Sequence, residues 1–431
     1  DWMRPRDGSG PSYNVPWPTR RLPLPGAHSI WSADKKRINE AIARLKADGG
    51  EKKNKDAIKK LETERQPEPF ARALWDRGEP TPQYVLMRGN YASPVKDKPL
   101  EPGTPAIIPP PVKNSPPNRL GLANWLFQPE HPLTARVAVN RYWYMLFGNG
   151  IVKTIEEFGS QGDWPSNLQL LDWLAVDFRK SDWNVKRMLK QMIMSSTYRQ
   201  NARASSQLVE LDPENRLLGR GPRFRLQAEF IRDTILSASG LLVKDIGGRG
   251  VKPYQPPGLW NEVSLGGNVR FVQDHGAKLY RRGMYTYWKR SAPAPSLTIF
   301  DTPTREKCVL RRSRTNTPLQ ALVLLNDPQY IEAARSLAQK VTLETGDSVV
   351  ARIVLAYRLA TAQRPSARTL RLLTAAYEEE LAVFRKDPDR AKKLLSTGES
   401  KRDENIDAAE HAALTIISSM ILNLDATVTK G

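Results

Sequence analysis

A chain of 431 residues, 40% of them hydrophobic, is long enough to bury a sizeable core, and no apolar run in it is long enough to cross a bilayer. Lysine and arginine outnumber acidic residues by 66 to 46, and the net charge of +20 favours anionic partners such as nucleic acid, acidic polysaccharide or an acidic protein. The single cysteine, Cys308, excludes an internal disulfide framework and any Cys-x-x-Cys motif for metal or haem.

The chain begins with a proline-rich stretch that is followed by a charged helical pattern. Residues 1–30 are rich in proline and are expected to run extended over a surface. Residues 31–66 carry only a thin apolar stripe, which predicts an exposed helical hairpin with Ser32 capping its first helix. A charged pattern of this kind is typical of a solvated face.

Between the hairpin and residue 117 the pattern indicates a small strand-containing region. Residues 84–88 are predicted to form a short strand and residues 104–108 a second one. The prolines that follow predict a linker. We therefore divide the chain into residues 1–117, the end of one domain, and residues 118–431, a second domain.

Residues 118–431 predict a mainly helical domain, because apolar residues recur with helical spacing in segment after segment. Ser166 and Gln169 form the pattern of a capping box, and Thr317 with Gln320 forms another. Helices are expected at about 119–126, 133–147, 168–180, 185–193, 226–242, from 318 with an interruption and restart at 326–328, 348–362, 367–385, 388 onward and 403–424. Three tryptophans are expected in the core between helices: Trp143, Trp173 and Trp183.

Residues 281–327 concentrate aromatic and charged residues without periodicity, which indicates a polar network or a binding surface. Aromatic faces can stack on sugar rings, and arginine forks can pair with carboxylate or sulfate groups. The candidate ligand-binding residues in and near this segment are Trp260, Tyr285, Trp288, Arg290, Arg305, Arg311, Arg312 and Asn316. The same set would serve to hold an acidic protein partner.

Four carboxylates are the candidates for catalysis: Asp301, Glu306, Glu229 and Asp233. They could converge as an acid–base pair acting on a glycan. The alternative is that neighbouring arginines neutralise them in buried ion pairs that fix the fold, since cations stabilise an ionised carboxylate and oppose its use as a proton donor. We favour the ion pairs.

Metal and nucleophile chemistry find little support in the sequence. The four histidines lie far apart, none has a second ligand at helical spacing, and we predict no metal site. Cys308 has Lys307 and Arg311 nearby, which could activate a thiol, but its apolar neighbours favour a buried, inert cysteine. The sequence contains neither a nucleophile elbow nor a Walker loop.

Several phrases resemble the C-terminal domain of a large planctomycete family, a domain of unknown function found in cytochrome-c-containing envelope proteins. The resemblance covers residues 118–430, and residues 1–117 resemble the end of the preceding domain in the same proteins. The phrases are HPLTARVAVNRYWYMLFGNGIV, EEFGSQGDWPSNLQLLDWLA, SSTYRQ, DPENRLL, VKPYQPPGLW, RTNTPLQALVLLND and ILNLDATVTK. In that family a haem-binding segment lies further upstream, and we interpret the chain, which opens at Asp1, as a piece of a longer protein.

The resemblance implies export to the periplasm or cell surface, and association with electron transfer or polysaccharide handling. It implies no cofactor within this segment; haem c would lie on the upstream part or on a partner chain. We therefore expect a non-catalytic scaffold or recognition module that binds an acidic protein partner, the upstream haem domain or an anionic polysaccharide. The alternatives are a glycan-active enzyme at Asp301 and Glu306, and nucleic-acid binding, which depends on charge alone.

Overall fold

The computed structural model describes residues 20–23, 25–48, 50–65, 70–73, 82–263 and 270–431. By their contacts they divide into two units, Asp1–His131 and Pro132–Gly431, which are described separately. Among the described residues helices dominate and every strand is short, which confirms the prediction of a mainly α fold with short β elements. The domain boundary after residue 117 stays a prediction.

The first unit contains the predicted helical hairpin. In chain order its elements are β1 (Arg20–Pro23), α1 (Pro25–Ala47), α2 (Gly50–Lys53), α3 (Lys55–Glu64), β2 (Phe70–Ala73), β3 (Gln83–Leu86), β4 (Pro94–Leu100) and α4 (Arg119–Phe127). α1 packs against α3, with Ile38 and Ile58 buried between them. Arg65 Nη2 donates to Asn39 Oδ1 at 2.6 Å near the end of the pair.

The start of α1 differs from the prediction. The helix begins at Pro25, so Ser32 lies inside it and does not cap it. Proline is favoured in the first turn of a helix, because its φ is already helical and its missing N–H would have no partner there. The extended conformation predicted for residues 25–30 is therefore wrong, and residues 1–19 lie outside the described part of the chain.

Two antiparallel strand pairs, β1 with β2 and β3 with β4, complete the strand-containing region. The strand predicted at 84–88 corresponds to β3, but the one predicted at 104–108 is wrong. Pro105 has no N–H to donate to a ladder, and its carbonyl instead accepts a turn hydrogen bond from Ile108 N at 3.1 Å.

The prolines before α4 are packed against that helix. Asn118 caps α4, its Oδ1 accepting from Leu120 N at 3.0 Å. Trp125 Nε1 donates to Pro109 O at 2.7 Å, and the Trp125 ring meets His131 edge-on at 4.6 Å. Burial lowers the pKa of His131 below its ordinary value.

The second unit is built almost entirely from helices. In chain order its elements are α5 (Thr134–Phe147), α6 (Leu168–Lys180), α7 (Val185–Met194), α8 (Ser206–Leu211), β5 (Phe224–Arg225), α9 (Ala228–Ser239), α10 (Leu259–Glu262), α11 (Pro295–Thr298), α12 (Pro318–Asn326), α13 (Pro328–Thr345), α14 (Val349–Thr361), α15 (Ala367–Lys386), α16 (Pro388–Leu395), α17 (Ala408–Leu422), α18 (Asp425–Val428) and β6 (Thr429–Lys430). β5 and β6 pair antiparallel.

A smaller core lies between α5, α6 and α7, where the three tryptophans were predicted to be buried. Trp143 is buried and stacks on Phe147 at 4.0 Å, and Trp183 packs edge-on against Phe178 at 5.1 Å. Trp173, however, is 55% exposed, so its predicted core position is wrong. The buried face of α6 carries Leu171, and a residue two positions further along a helix points to the opposite side.

The larger core of the second unit surrounds α17, which packs against α13, α14, α15 and α16. The residues of α17 that face this core are almost fully buried: Ala412, Ala413, Leu414, Ile417 and Ile421. α17 starts at Ala408, later than predicted, because Asp407 caps it by accepting from Glu410 N at 2.9 Å. None of the helices in the described parts of the chain is long and apolar enough to span a membrane.

Both predicted capping boxes are wrong although both helices exist. Asn167 caps α6, its Oδ1 accepting from Leu170 N at 2.9 Å. At α12, Thr317 makes no side-chain cap, and Gln320 Nε2 donates to Ile299 O at 3.0 Å instead of reaching back. Asn and Asp bond to the backbone as readily as Ser and Thr, so the position before a helix is easily misassigned by one residue.

Candidate functional site

The sequence singles out residues 281–327, which we call the central segment. This segment is attached to α9 and to the loop after it. Val251 N donates to Tyr285 O at 2.8 Å, and Tyr287 N donates back to Val251 O at 2.7 Å. Gly283 lies directly against α9, where a Cβ atom would come within 3.0 Å of Glu229 Cα. Backbone bonds and close packing therefore fix the segment on the helix.

Glu229, buried on α9, is paired with arginines of this segment. Arg312 Nη1 donates to Glu229 Oε2 at 2.7 Å, and Arg305 Nη2 lies 3.9 Å from Glu229 Oε1. A carboxylate with two cationic neighbours already has its counter-charge in place. The geometry therefore favours the ion pair over a proton-transfer function for Glu229.

Asp233, one turn further along α9, binds the same segment through its backbone. Its Oδ1 accepts from Gly283 N at 2.6 Å, and Arg282 Nε lies 3.6 Å from its Oδ2. Burial raises the pKa of Asp233, an effect that the Gly283 bond and the neighbouring arginines oppose. Asp233 thus holds a turn of the segment in position.

Between these two acids, Arg232 is buried and reaches several partners. Its Nε donates to Gln329 Oε1 at 2.6 Å and its Nη2 to Leu279 O at 2.6 Å, while its Nη1 donates to Arg281 O. Burial lowers the pKa of Arg232 below its ordinary value. One buried guanidinium therefore joins α9, α13 and the start of the central segment. These contacts link residues far apart in the chain, so they could not be predicted from the sequence.

Among the described residues, Asp301 and Glu306 share no ion-pair or hydrogen-bond partner with Glu229 and Asp233, the acids of α9. Asp301 has a left-handed backbone, with φ at +62°, and its carboxylate accepts from Thr315 N at 2.7 Å. Glu306 is exposed. The cavity beside Asp301 holds only about 10 Å³, too little for a sugar ring.

Most of the predicted ligand-binding residues are engaged within the domain. Arg311 Nε pairs with Glu156 Oε1 at 3.1 Å, and Asn316 Oδ1 accepts from Arg225 Nη2 at 2.7 Å. Trp288 Nε1 donates to Thr304 O at 3.0 Å.

The two remaining predicted aromatics also have covered faces. The Arg281 guanidinium lies 3.9 Å from the centre of the Tyr285 ring, and the Trp260 ring is only 5% exposed. Arg290 is exposed to solvent.

Cys308 is exposed, so the prediction of a buried, inert thiol is wrong. Its neighbours Val309 and Leu310 are themselves exposed, at 42% and 41%. Apolar neighbours predict burial only where the backbone turns them inward, and here the chain runs over the surface.

A group of cationic and aromatic side chains on this segment and on the loop before it forms no ion pair with an acid in the described part of the chain. We define the cationic patch as Lys252, Trp260, Tyr287 and Lys289. Lys252 Nζ lies 5.4 Å from the Trp260 ring centre and 5.5 Å from that of Tyr287, and Lys289 Nζ lies 5.5 Å from Trp260. No described carboxylate lies within ion-pair distance of either lysine. Neither lysine was among the predicted ligand-binding residues, although the phrase VKPYQPPGLW contains Lys252.

Residues 118–377 match the family described as PSD1, Protein of unknown function (DUF1553). The chain belongs to the DUF1553 family. No curated protein and no solved structure matches it.

The second unit also contains a buried polar network around Glu332 of α13, which extends past the residues that match the family. Glu332 Oε1 accepts from Tyr280 Oη at 2.8 Å and from Ser400 N at 2.6 Å, and Arg335 Nη2 lies 3.9 Å away. Burial is the main cause that raises the pKa of Tyr280. The network fixes the loop before α17 onto α13, and no sequence signal pointed to it.

Two segments that lie far apart in the sequence meet at a cleft of about 700 Å³ in the DUF1553 domain. The loop from Tyr254 to Pro257 forms one wall, and Leu319 to Pro328 of the α12 region forms the other. Leu319 and Leu322 face it with exposed side chains.

Among the described residues of the DUF1553 chain, no group of histidine, cysteine and acidic side chains could hold a metal ion. His275, the histidine nearest the central segment, instead lies with its Nδ1 2.7 Å from Glu399 Oε1. Glu399 also accepts from Gly276 N at 3.2 Å, and these bonds lower its pKa. The pair therefore holds the loop at His275 against the loop at Glu399.

Proposed function

We propose that the DUF1553 domain of this chain is a non-catalytic recognition module that holds an acidic protein partner on its cationic patch. The observation that carries the proposal is the contrast between two sets of cations. Arg305, Arg311 and Arg312 face carboxylates of the domain itself, whereas Lys252 and Lys289 form no ion pair among the described residues and lie over aromatic rings.

Unpaired lysines beside aromatic rings suit a partner that supplies the missing negative charge. A carboxylate arriving at the cationic patch would gain two ammonium partners without displacing any internal ion pair. The surrounding charge of +20 for the whole chain would add long-range attraction for an acidic surface.

The same geometry favours an acidic protein over an anionic polysaccharide. A sugar ring needs an open aromatic face, and the Trp260 ring is 5% exposed with two lysines above it. Tyr287 is 49% exposed, but Lys252 lies over its ring. The cationic patch therefore offers charges more than stacking surfaces.

The partner we propose is the upstream haem-binding domain of the same precursor, or a separate cytochrome. This extends the resemblance to cytochrome-c-containing planctomycete envelope proteins, and it would place the chain outside the cytoplasm. Haem c would then be on the partner and not on this segment. An acidic surface around a haem edge would be the feature that the lysines recognise.

The arrangement gives less support to a glycan-active enzyme. Glu229 and Asp233 are committed to the central segment, Asp301 is bonded to Thr315, and the cavity beside Asp301 is only about 10 Å³. Acid–base hydrolysis needs two carboxyl groups that flank a bound sugar.

Binding to poly-L-glutamate, measured by fluorescence anisotropy over a salt series, tests the proposal. The double variant Lys252→Gln/Lys289→Gln should bind several-fold more weakly and with a shallower salt dependence than the wild type. The matched control Lys386→Gln/Lys393→Gln removes two exposed charges from α15 and α16 and should bind almost as the wild type. Equal loss in both variants, or tighter binding to duplex DNA or dextran sulfate than to poly-L-glutamate, would contradict it.

A further inference from the structure

A second surface of the DUF1553 domain, away from the central segment in sequence, forms an open groove of about 500 Å³. Its walls are large side chains left in solvent: Trp164 is 85% exposed, Leu211 73% and Leu217 76%. Polar groups of Asp163 and Arg216 line the same groove. Exposed apolar side chains of this size, gathered at one concavity, indicate a binding site.

The groove joins two phrases of the sequence that lie far apart, GDWPSN before α6 and DPENRLL after α8. Lys153 Nζ pairs with Glu214 Oε2 at 2.8 Å and Asn149 Nδ2 donates to Glu214 O at 2.7 Å, which ties residues 149–153 to the second phrase. Ser166 N of the first phrase donates to Ile151 O at 2.8 Å, so both walls are fixed to the same short segment. Asp212 accepts from Arg216 N at 2.8 Å and from Leu217 N at 2.7 Å. The two walls are therefore held in place before any ligand arrives.

Arg216 gives the groove an unsatisfied donor. Its side chain lines both the groove and an adjoining cavity of about 120 Å³, whose other walls include Trp143 and Phe147. Its Nε is buried and has no hydrogen-bond partner in the described part of the chain. A buried guanidinium nitrogen without an acceptor is costly, and a small shift of the Arg216 side chain towards a ligand oxygen in the groove would satisfy it.

We propose that this groove binds a neutral carbohydrate. The indole face of Trp164 offers the flat apolar surface on which the C–H face of a pyranose ring can lie. Sugar hydroxyls both donate and accept, so they can donate to the carboxylate of Asp163 and accept from Arg216 in the same orientation. Few polar groups around an aromatic wall set the orientation of such a ligand.

The charge of its lining distinguishes this groove from the cationic patch. Asp163 and Asp212 both line it, so a sulfated or uronic polymer would meet two carboxylates for one guanidinium. A purely apolar protein helix would cover Asp163 and Arg216 without offering either of them a hydrogen-bond partner. The two sites therefore take different ligands, and this proposal does not depend on the proposed partner of the cationic patch.

Affinity electrophoresis through gels containing a neutral β-glucan, α-glucan or β-mannan tests the proposal, with tryptophan fluorescence titration of any polymer that retards the chain. At least one neutral polymer should retard the wild type, and the retardation should persist at high salt. Trp164→Ala should weaken that binding by about tenfold or more, as for an aromatic anchor at a binding site. Arg216→Met should weaken it as well.

Trp173→Ala is the matched control, because Trp173 is also an exposed tryptophan, at 55%, and does not line the groove. Its binding should equal that of the wild type. Thermal unfolding of Trp164→Ala should match the wild type, since the side chain is almost fully exposed. The proposal is overturned if no neutral polymer retards the wild type, if Trp164→Ala binds as well as the wild type, or if only dextran sulfate retards the chain in a salt-sensitive manner.

Discussion

Arg312 donates from Nη1 to Oε2 of Glu229 at 2.7 Å, which joins the chain before α12 to the buried face of α9. The relationship explains why residues 281–327 contain so many arginines. Several of them serve as internal cross-links that seat an irregular segment on the helices. Lys252 and Lys289 of the cationic patch take part in none of these ion pairs, and we propose that a partner meets them there.

Removing one member of this pair should destabilise the domain. Arg312→Gln leaves Glu229, whose side chain is only 11% exposed, without its closest cation. We expect the free energy of unfolding to fall by about 1–3 kcal/mol, because a buried carboxylate loses a charge-assisted hydrogen bond. Urea denaturation followed by circular dichroism measures the change.

The exposed pair of Arg187 with Asp177, joined at 2.7 Å, provides the comparison. Arg187→Gln should leave the unfolding midpoint almost unchanged, because ion pairs in solvent contribute little. If both arginine variants shift the midpoint equally, the Arg312 pair is not a cross-link of the fold.

Gly398 should not tolerate a side chain. Its φ is +87°, and a Cβ atom would lie 2.2 Å from Cδ of the buried Glu332. Gly398→Ala is expected to cost about 2–4 kcal/mol, the sum of a strained backbone and a displaced carboxylate network. The unfolding free energy from urea titration reports it.

Gly258→Ala separates the two contributions. Gly258 also has a positive φ, +83°, with ψ at −22°, but nothing lies within 4 Å of the position of its Cβ atom. That variant should lose only the backbone term, about 1–2 kcal/mol. Similar losses in the two variants would mean that the Glu332 network yields without cost.

Acid should weaken the domain through His411. The side chain is fully buried on α17, with Nε2 3.1 Å from Arg335 O, and burial lowers its pKa from the ordinary value of 6.5. The unfolded chain therefore takes up the proton at a higher pH than the folded one. The stability that the neutral histidine contributes is present above pH 6.5 and is lost as the pH falls towards the folded pKa.

Unfolding free energies at several pH values between 8 and about 5 measure this effect, and His411→Gln should reduce the slope. Asp233 and Asp327, whose pKa values burial raises, act in the opposite direction at lower pH, so the comparison with the variant isolates the histidine. A slope that is identical in the two proteins would exclude His411 as its source.

Cys308 should react with a thiol reagent in the native protein. It is exposed and is the single cysteine of the sequence, so one equivalent is expected without denaturant. Absorbance after mixing with Ellman's reagent gives the stoichiometry. A requirement for urea would show that the thiol is covered.

Regular helices were predictable from the sequence because their apolar spacing and capping residues are local. Asn118, Asn184 and Ser348 cap α4, α7 and α14 within one residue of where the apolar spacing places the start of each helix, and α12 ends where Asp327 starts α13. Periodicity within one helix needs no knowledge of the partner helix.

The candidate sites were less predictable, because they depend on contacts between distant residues. The sequence singled out Trp260 as a stacking surface, but Lys252 and Lys289 lie over its ring. It placed Trp164 in a family phrase without assigning it a function, although the structure leaves that ring in solvent. Exposure of an aromatic residue follows from the loop that carries it, and a one-dimensional pattern does not contain that information.

One binding experiment with poly-L-glutamate compares the two sets of cations directly. It sets Arg312→Gln beside Lys252→Gln/Lys289→Gln and records both the dissociation constant and the melting temperature. The arginine variant should melt earlier but bind almost as the wild type, while the lysine variant should melt as the wild type and bind several-fold more weakly. A lysine variant with unchanged affinity, or a folded arginine variant that has lost its binding, would contradict the division between internal cross-links and recognition surface.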